Sequence, residues 1–305
     1  MFFKPNADWT SRCESIKARL LEQFSDQGLT PDNFGFVALR ENGFGEGPDG
    51  FSYRGNWRCY PCSLVKAFHL VHVLSAIDAG RVEDHEELSR AMRDMILWST
   101  NTGTNYVIDV VTGTTGDTLL EGEGFDAWRD KREALNRFFR DLGWPEFEGC
   151  NISQKLMDDV RYGREAQYAG RSGEYLNVLT PLAAARLFHE IFAGTVPLSD
   201  VARTRAQDIL LRDRESAEAK QPRFQVADFL GAGAPAEARI WSKAGQNSWT
   251  GDPRASYYKH DLIRIAMPGN ASIIICLMTQ GKQICEVYPK AVPEIGKVFY
   301  DILLA

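Results

Sequence analysis

The chain has 305 residues and a mass of 34.3 kDa, enough to bury a sizeable core in one large domain or two modest ones. Apolar residues make up 44% and charged residues 25%, the balance of a soluble globular protein, which excludes disorder and fibrous repeats. The net charge of −6 argues against a protein held to nucleic acid by bulk charge, because phosphate binding needs a basic surface.

The first residues, Met1-Phe2-Phe3-Lys4-Pro5-Asn6, contain no apolar stretch of the kind a secretory leader needs. A cytoplasmic location is expected for the chain as numbered, and a periplasmic or secreted one if a leader was removed. Residues 8–27 predict an amphipathic helix with Ile16, Leu20, Leu21 and Phe24 on one stripe. Residues 34–40 and 51–54 flank a Gly/Asn/Asp/Pro cluster and predict a hairpin. The spacing of Gly43, Gly45 and Gly47 could suit a phosphate loop, but no helix follows, so the turn reading is preferred.

From Pro61 to about Arg214 the pattern is helical, with segments at 62–79, 85–99, 105–112, 125–142, 181–192 and 199–214. Strands resume at 239–243, 262–266 and 271–279, and a helix at 293–304 closes the chain. The longest apolar run, Ala271 to Met278, is too short to span a bilayer and reads as a buried strand. The expected fold is α/β (α+β): an antiparallel sheet flanked by N- and C-terminal helices, with an all-helical domain inserted in it. Residues 1–60 and 215–305 would form the sheet domain and 61–214 the helical one, with the site at their junction.

Six cysteines are scattered and sparse, as in a reducing compartment. Cys59 and Cys62 make one C-x-x-C, without the βαβ context or second pair that redox or zinc use requires. No H-E-x-x-H occurs, and His69 and His72 read as packed on one helix. No metal or cofactor is expected.

The chemistry-bearing pattern begins at Ser63-Leu64-Val65-Lys66, an S-x-x-K. Residues three apart share a helix face, so the lysine amine can lie beside the serine hydroxyl. Pro61 suits a first helical turn, where free N–H groups and the dipole favour a developing oxyanion. A lysine whose charge is disfavoured by burial and neighbouring cations can take the hydroxyl proton. Ser256-Tyr257-Tyr258-Lys259 also fits S-x-x-K, but in a loop or strand residues three apart point to opposite faces, so that copy reads as accidental. Two further pieces accompany Ser63: Ser99-Thr100-Asn101 between two helices, and Lys243-Ala244-Gly245 ending a strand.

This order of motifs resembles the serine β-lactamase and penicillin-binding protein superfamily, and is most similar to class A-type β-lactamases and related serine hydrolases. Tyr60-Pro61-Cys62 ahead of Ser63, Met95 to Asn101 followed by Asn105, and Leu179-Thr180-Pro181 extend the similarity over roughly Asp8 to the C-terminus. The resemblance implies Ser63 as nucleophile, Lys66 as base or proton relay, and Ser99 as donor to the leaving nitrogen. It further implies Asn101 for the substrate's amide side chain, Lys243 as positive charge for a substrate carboxylate, and Gly245 as part of the binding strand. The N–H groups of Ser63 and Gln246 would form the oxyanion hole. Acylation of Ser63 by a small-molecule β-lactam, amide or ester, then release by water, is the implied mechanism. The alternative is a penicillin-binding or sensor-type protein that binds or acylates without efficient turnover.

Release needs a water activator. Glu165, ahead of Thr180 at about the family spacing, is the first candidate and Glu174 its rival; the asparagine expected just after Glu165 is missing from Ala166 to Gly170. Thr100 and Ala244 replace the aspartate of S-D-N and the threonine of K-T-G, which weakens β-lactam recognition at Ala244. The span from Ser63 to Ser99 is short for the family and predicts a more open cleft edge. Cys62 has no cysteine partner near Asn247, so the disulfide of some relatives is not expected. Tyr162, Trp241 and Trp249 either line the cleft or pack in the core.

Overall fold

The computed structural model describes residues 1–43, 46–157 and 160–305, so Gly45 of the glycine-rich turn lies outside the described residues. Strands β1 (Phe34–Arg40), β2 (Asp49–Tyr53), β3 (Arg239–Gln246), β4 (Tyr258–Ala266) and β5 (Ile273–Gln280) form an antiparallel sheet in the order β2-β1-β5-β4-β3. The apolar run is central β5. Its side chains alternate with period two, Ile273, Ile275 and Leu277 entering one core and Ile274, Cys276 and Met278 the other. Burial on both faces is why the run is continuous rather than alternating.

The first of those cores lies under helices α1 (Ala7–Gln23) and α9 (Ala291–Leu303), at the two ends of the chain. Asn6 caps α1 by accepting from Trp9 N, and Trp9, Cys13, Ile16 and Leu20 form its buried stripe. The opposite face is covered by the helical half: α2 (Val65–Asp78), α3 (Glu86–Leu97), α4 (Asn101–Thr112), α5 (Gly122–Asp141), α6 (Gly163–Ala169), α7 (Pro181–Ala193) and α8 (Asp200–Leu210). Helix α7 packs directly on β1 and β5, started by Pro181 and capped by Thr180 accepting from Ala183 N. One apolar cluster runs from α2 and α7 into Val37, Leu262 and Ile274 of the sheet.

Two differences from the sequence reading are informative. Helix α4 starts at Asn101 rather than 105, because Thr100 already has extended N-cap geometry. Strand β4 starts at Tyr258, four residues early, since its polar stretch is buried with partners. Lys259 Nζ donates to Pro289 O at 2.9 Å, His260 bonds Tyr60 O, and Asp261 accepts from Leu230 N at 3.0 Å. Among the described residues, no helix is long and apolar enough to cross a membrane.

Candidate active site

Helix α2 is buried on every side from Val65 to Ala76, and is therefore a central pillar. Ser63 stands at its head in a single 3₁₀ turn, Cys62–Leu64, half-buried at the cleft floor. The approach is pinned at three points. Cys59 exchanges two backbone hydrogen bonds with Leu179, both 2.9 Å. Cys62 holds a left-handed φ of +48°, a backbone conformation that costs a non-glycine residue free energy and turns the chain sharply into the helix. His260 accepts from Thr279 N at Nδ1 (3.2 Å), which leaves the proton on Nε2 to donate to Tyr60 O at 3.0 Å. Burial pushes this imidazole down to about 4, so it stays a neutral donor.

The second motif meets the first through Lys66. Ser99 has a left-handed φ of +58° between α3 and α4. Lys66 Nζ, completely buried, donates to Ser99 O at 2.5 Å and Asn101 Oδ1 at 2.9 Å, with Ser99 Oγ at 3.3 Å. Lys243 Nζ reaches the same Ser99 hydroxyl from β3 at 3.0 Å. Two lysines thus share one serine hydroxyl beside Ser63. Ser63, Ser99, Asn101 and Gln246 line a cleft of about 660 Å³.

Strand β3 is the sheet edge, so its unpaired backbone groups must find other partners. Asn247 N donates to Tyr258 O, which fixes the alternation: Ile240, Ser242, Ala244 and Gln246 direct their backbone groups away from β4. Arg212 N takes Ile240 O, Arg212 Nη2 takes Ser242 O at 3.0 Å, and Lys243 Nζ takes Ala244 O at 2.6 Å. The outward N–H of Gln246 is left facing the cleft, the geometry an oxyanion hole requires. Gly245 makes the approach possible: a Cβ there would stand 2.7 Å from Ser63 N.

Arg212, invisible to motif reading, also donates to Ile96 O and Leu97 O, tying the end of α3 to β3. Burial lowers its pKa to about 10. Burial first, then the Lys66 and Arg212 cations, push Lys243 well below the ordinary lysine range, with Asp261 opposing. Asp261 itself is raised by burial to about 7.

Neither glutamate expected to activate water lines the cleft that Ser63 lines. Glu165, on α6, is 2% exposed and gives both carboxylate oxygens to Arg132, at 2.7 and 3.0 Å. Arg132 and Lys155 also flank Asp109, two turns along α4 from Asn101 and so about 12 Å away along its axis. Glu174 is exposed to solvent, where hydrogen bonds from its own and the Ser172 backbone lower its pKa. Asn105, one turn after Asn101, instead clamps Leu156 by both backbone groups, at 3.2 and 2.9 Å.

Of the three aromatics, Trp241 takes the core alternative, and Tyr162 and Trp249 take neither. Trp98, Tyr106 and Phe229 line the cleft, whereas Trp241 packs on Phe192 and Tyr162 and Trp249 are exposed. In the second S-x-x-K, Ser256 donates to Asp252 O and Lys259 to Pro289 O, so the pair does not act together. All six cysteines are free thiols, and among the described residues no His, Cys, Asp or Glu group gathers that could hold a metal. The Thr100 hydroxyl is buried without a hydrogen-bond partner and does not cap α4.

With that geometry in place, comparison with known proteins is direct. The sequence profile of the β-lactamase enzyme family matches residues 85–303. The chain belongs to the β-lactamase enzyme family. Membership makes it a serine β-lactamase-like hydrolase, for which acyl-enzyme chemistry is typical. Its fold is similar to a β-lactamase from Sphaerobacter thermophilus (TM-score 0.66, 18% identity, 96% of this chain and 98% of that one). A β-lactamase from Xanthomonas campestris pv. campestris gives a TM-score of 0.65 at 18% identity, over 96% and 98% of the two chains. A class A β-lactamase described as the last common ancestor of Gram-negative bacteria gives 0.63 at 19%, over 95% and 99%. At these identities the likeness concerns the fold of the family. No curated relative matches in sequence.

Proposed function

We propose that this β-lactamase-family enzyme is acylated on Ser63 by a small-molecule β-lactam or related amide or ester. The observation that carries the reading is the chain Lys66–Ser99–Lys243 beside Ser63 in the cleft floor. Ser63 Oγ attacks the carbonyl carbon, and its proton passes to Lys66. Ser99 Oγ, in reach of both amines, hands a proton to the leaving nitrogen or oxygen. The N–H groups of Ser63 and Gln246 receive the oxyanion, and Asn101 reaches the acyl side chain. Water then releases the acyl group. A second reading, an acyl-enzyme that persists, is favoured by one observation: Glu165 and Glu174 are both engaged elsewhere.

Intact-protein mass separates the two readings. Wild type and Ser63→Ala are each mixed with a chromogenic cephalosporin and with p-nitrophenyl acetate, and colour is followed in parallel. Adduct formation and turnover by wild type alone support the hydrolase. A lasting adduct without turnover supports the slow-release reading. No Ser63-dependent adduct with either reagent would overturn both.

A further inference from the structure

Lys243 is the group that the family resemblance assigns to a substrate carboxylate, yet its amine has no direction left for one. Three oxygens surround Nζ: Ser99 Oγ at 3.0 Å, Gln225 Oε1 at 2.8 Å and Ala244 O at 2.6 Å. An ammonium has three N–H bonds. A neutral amine has two, with a lone pair that Ser99 O–H can fill. Either way three neighbours saturate it. The lysine is also completely buried, and Ala244 brings no hydroxyl to assist an anion.

Gln225 is built into this position. It carries a left-handed φ of +59° at the end of a 3₁₀ turn, Pro222–Phe224. Phe224 and Val226 on either side are buried with Leu97, and the Arg212 guanidinium lies 5.6 Å from the Phe224 ring centre. The backbone is therefore anchored while the half-buried Gln225 side chain lines the cleft. On the rim, Arg90 is paired with Glu87 at 2.6 Å, and Asp94 and Asp228, which pair with Arg93 and Lys290, line the same cleft as Arg223.

We propose that Gln225 is a specificity-determining residue that occupies the place of a substrate carboxylate on Lys243. The site accordingly takes neutral acyl donors in preference to anionic ones. The inference rests on the reading of this cleft as an acyl-donor site, but it concerns recognition, so its test does not require acylation.

The test uses Ser63→Ala protein, with and without Gln225→Ala, and calorimetric binding of one cephalosporin as the free C4 acid and as its methyl ester. With Gln225 present, the ester binds at least as tightly as the acid. Removing Gln225 shifts the acid-to-ester affinity ratio at least tenfold toward the acid. A ratio that moves less than twofold overturns the proposal, as does a tenfold preference for the acid with Gln225 in place. Failure of both compounds to bind either protein overturns it too, since the freed lysine then reads no carboxylate. Gln225→Asn, which tolerates the left-handed backbone but has a shorter reach, covers a Gln225→Ala chain that does not fold. Loss of the wild-type Ser63 adduct would instead strike the functional reading alone.

Discussion

Helix α4 touches two buried charge clusters that differ in composition. At its first turn Asn101 meets Lys66, and Lys243 lies beyond Ser99; every partner of Lys243 described above is a neutral oxygen. Two turns further on, Asp109 and Glu165 face Arg132 and Lys155, two acids against two bases. Arg132 is fully buried, forks onto Glu165 and lies 4.6 Å from the Trp128 ring centre. A matched cluster stabilises position and leaves little driving force for proton transfer. A lysine packed among neutral oxygens, as Lys243 is, is costly to hold charged, which makes its proton mobile.

The largest effect tests the matched cluster. Glu165→Ala takes the bidentate partner from the buried Arg132 charge and leaves it only Asp109, at 3.8 Å, which should lower stability by about 3–5 kcal/mol. Thermal or urea unfolding measures it. Release of the acyl group from Ser63, per folded molecule, should change less than twofold. A collapse of release with acylation intact would restore Glu165 as the water activator.

The mirror experiment is Lys66→Met. It should slow Ser63 acylation by about 10²–10³-fold, roughly 3–4 kcal/mol of barrier. Stability should fall by only about 1–3 kcal/mol, because Ser99 O and Asn101 Oδ1 lose a buried hydrogen-bond donor. Adduct formation against time, followed by mass, reads the first effect. Equal losses in both quantities would mean that this cluster is structural as well.

Gly245→Ala acts on the contact between strand and nucleophile. A Cβ only 2.7 Å from Ser63 N and 3.0 Å from Leu64 N must push β3 or the 3₁₀ turn aside. Overpacking of this kind costs about 1–3 kcal/mol. Acylation should fall more steeply than stability does, since the displaced N–H groups are those of the oxyanion hole. A variant with unchanged acylation would show that the strand does not position Ser63.

The legible part of the site was local. S-x-x-K on a helix and K-x-G on a strand are spacings that secondary structure alone converts into geometry, and Ser63, Lys66, Ser99 and Lys243 do converge. The sheet was legible in outline because Ile273 to Met278 is apolar on both faces. What stayed hidden depends on contacts distant in sequence. Arg212 reaches Ile96 and Ser242, and Gln225 reaches Lys243, with nothing in their neighbours' spacing to announce it. The start of β4 was missed for the same reason, since Lys259, His260 and Asp261 look solvated until their buried partners are known. The pairing of Glu165 with Arg132 was hidden too, because a count along a loop gives contour length and not direction.

The smallest effect separates His69 from both clusters. Its imidazole lies one turn behind Lys66, faces His72, Lys66 and Arg132, and has neither nitrogen hydrogen-bonded. Burial, then the neighbouring charges, lowers its pKa to about 3; His72, stacked on Phe138, falls to about 4 and His260 likewise. The unfolded chain therefore binds protons on these groups from pH 6.5 downward while the folded chain does not. Stability is fully present above pH 6.5 and is lost as pH falls toward 4. Asp261, raised to about 7, works in the opposite sense, but three imidazoles outweigh one carboxyl. His69→Leu should remove one proton's share, up to about 1.4 kcal/mol per pH unit between pH 6 and 4. It should leave stability at pH 8 equal or higher, because no hydrogen bond is lost. Melting temperature against pH for the two proteins decides the matter, and parallel curves would mean that His69 is charged or shielded in the folded chain.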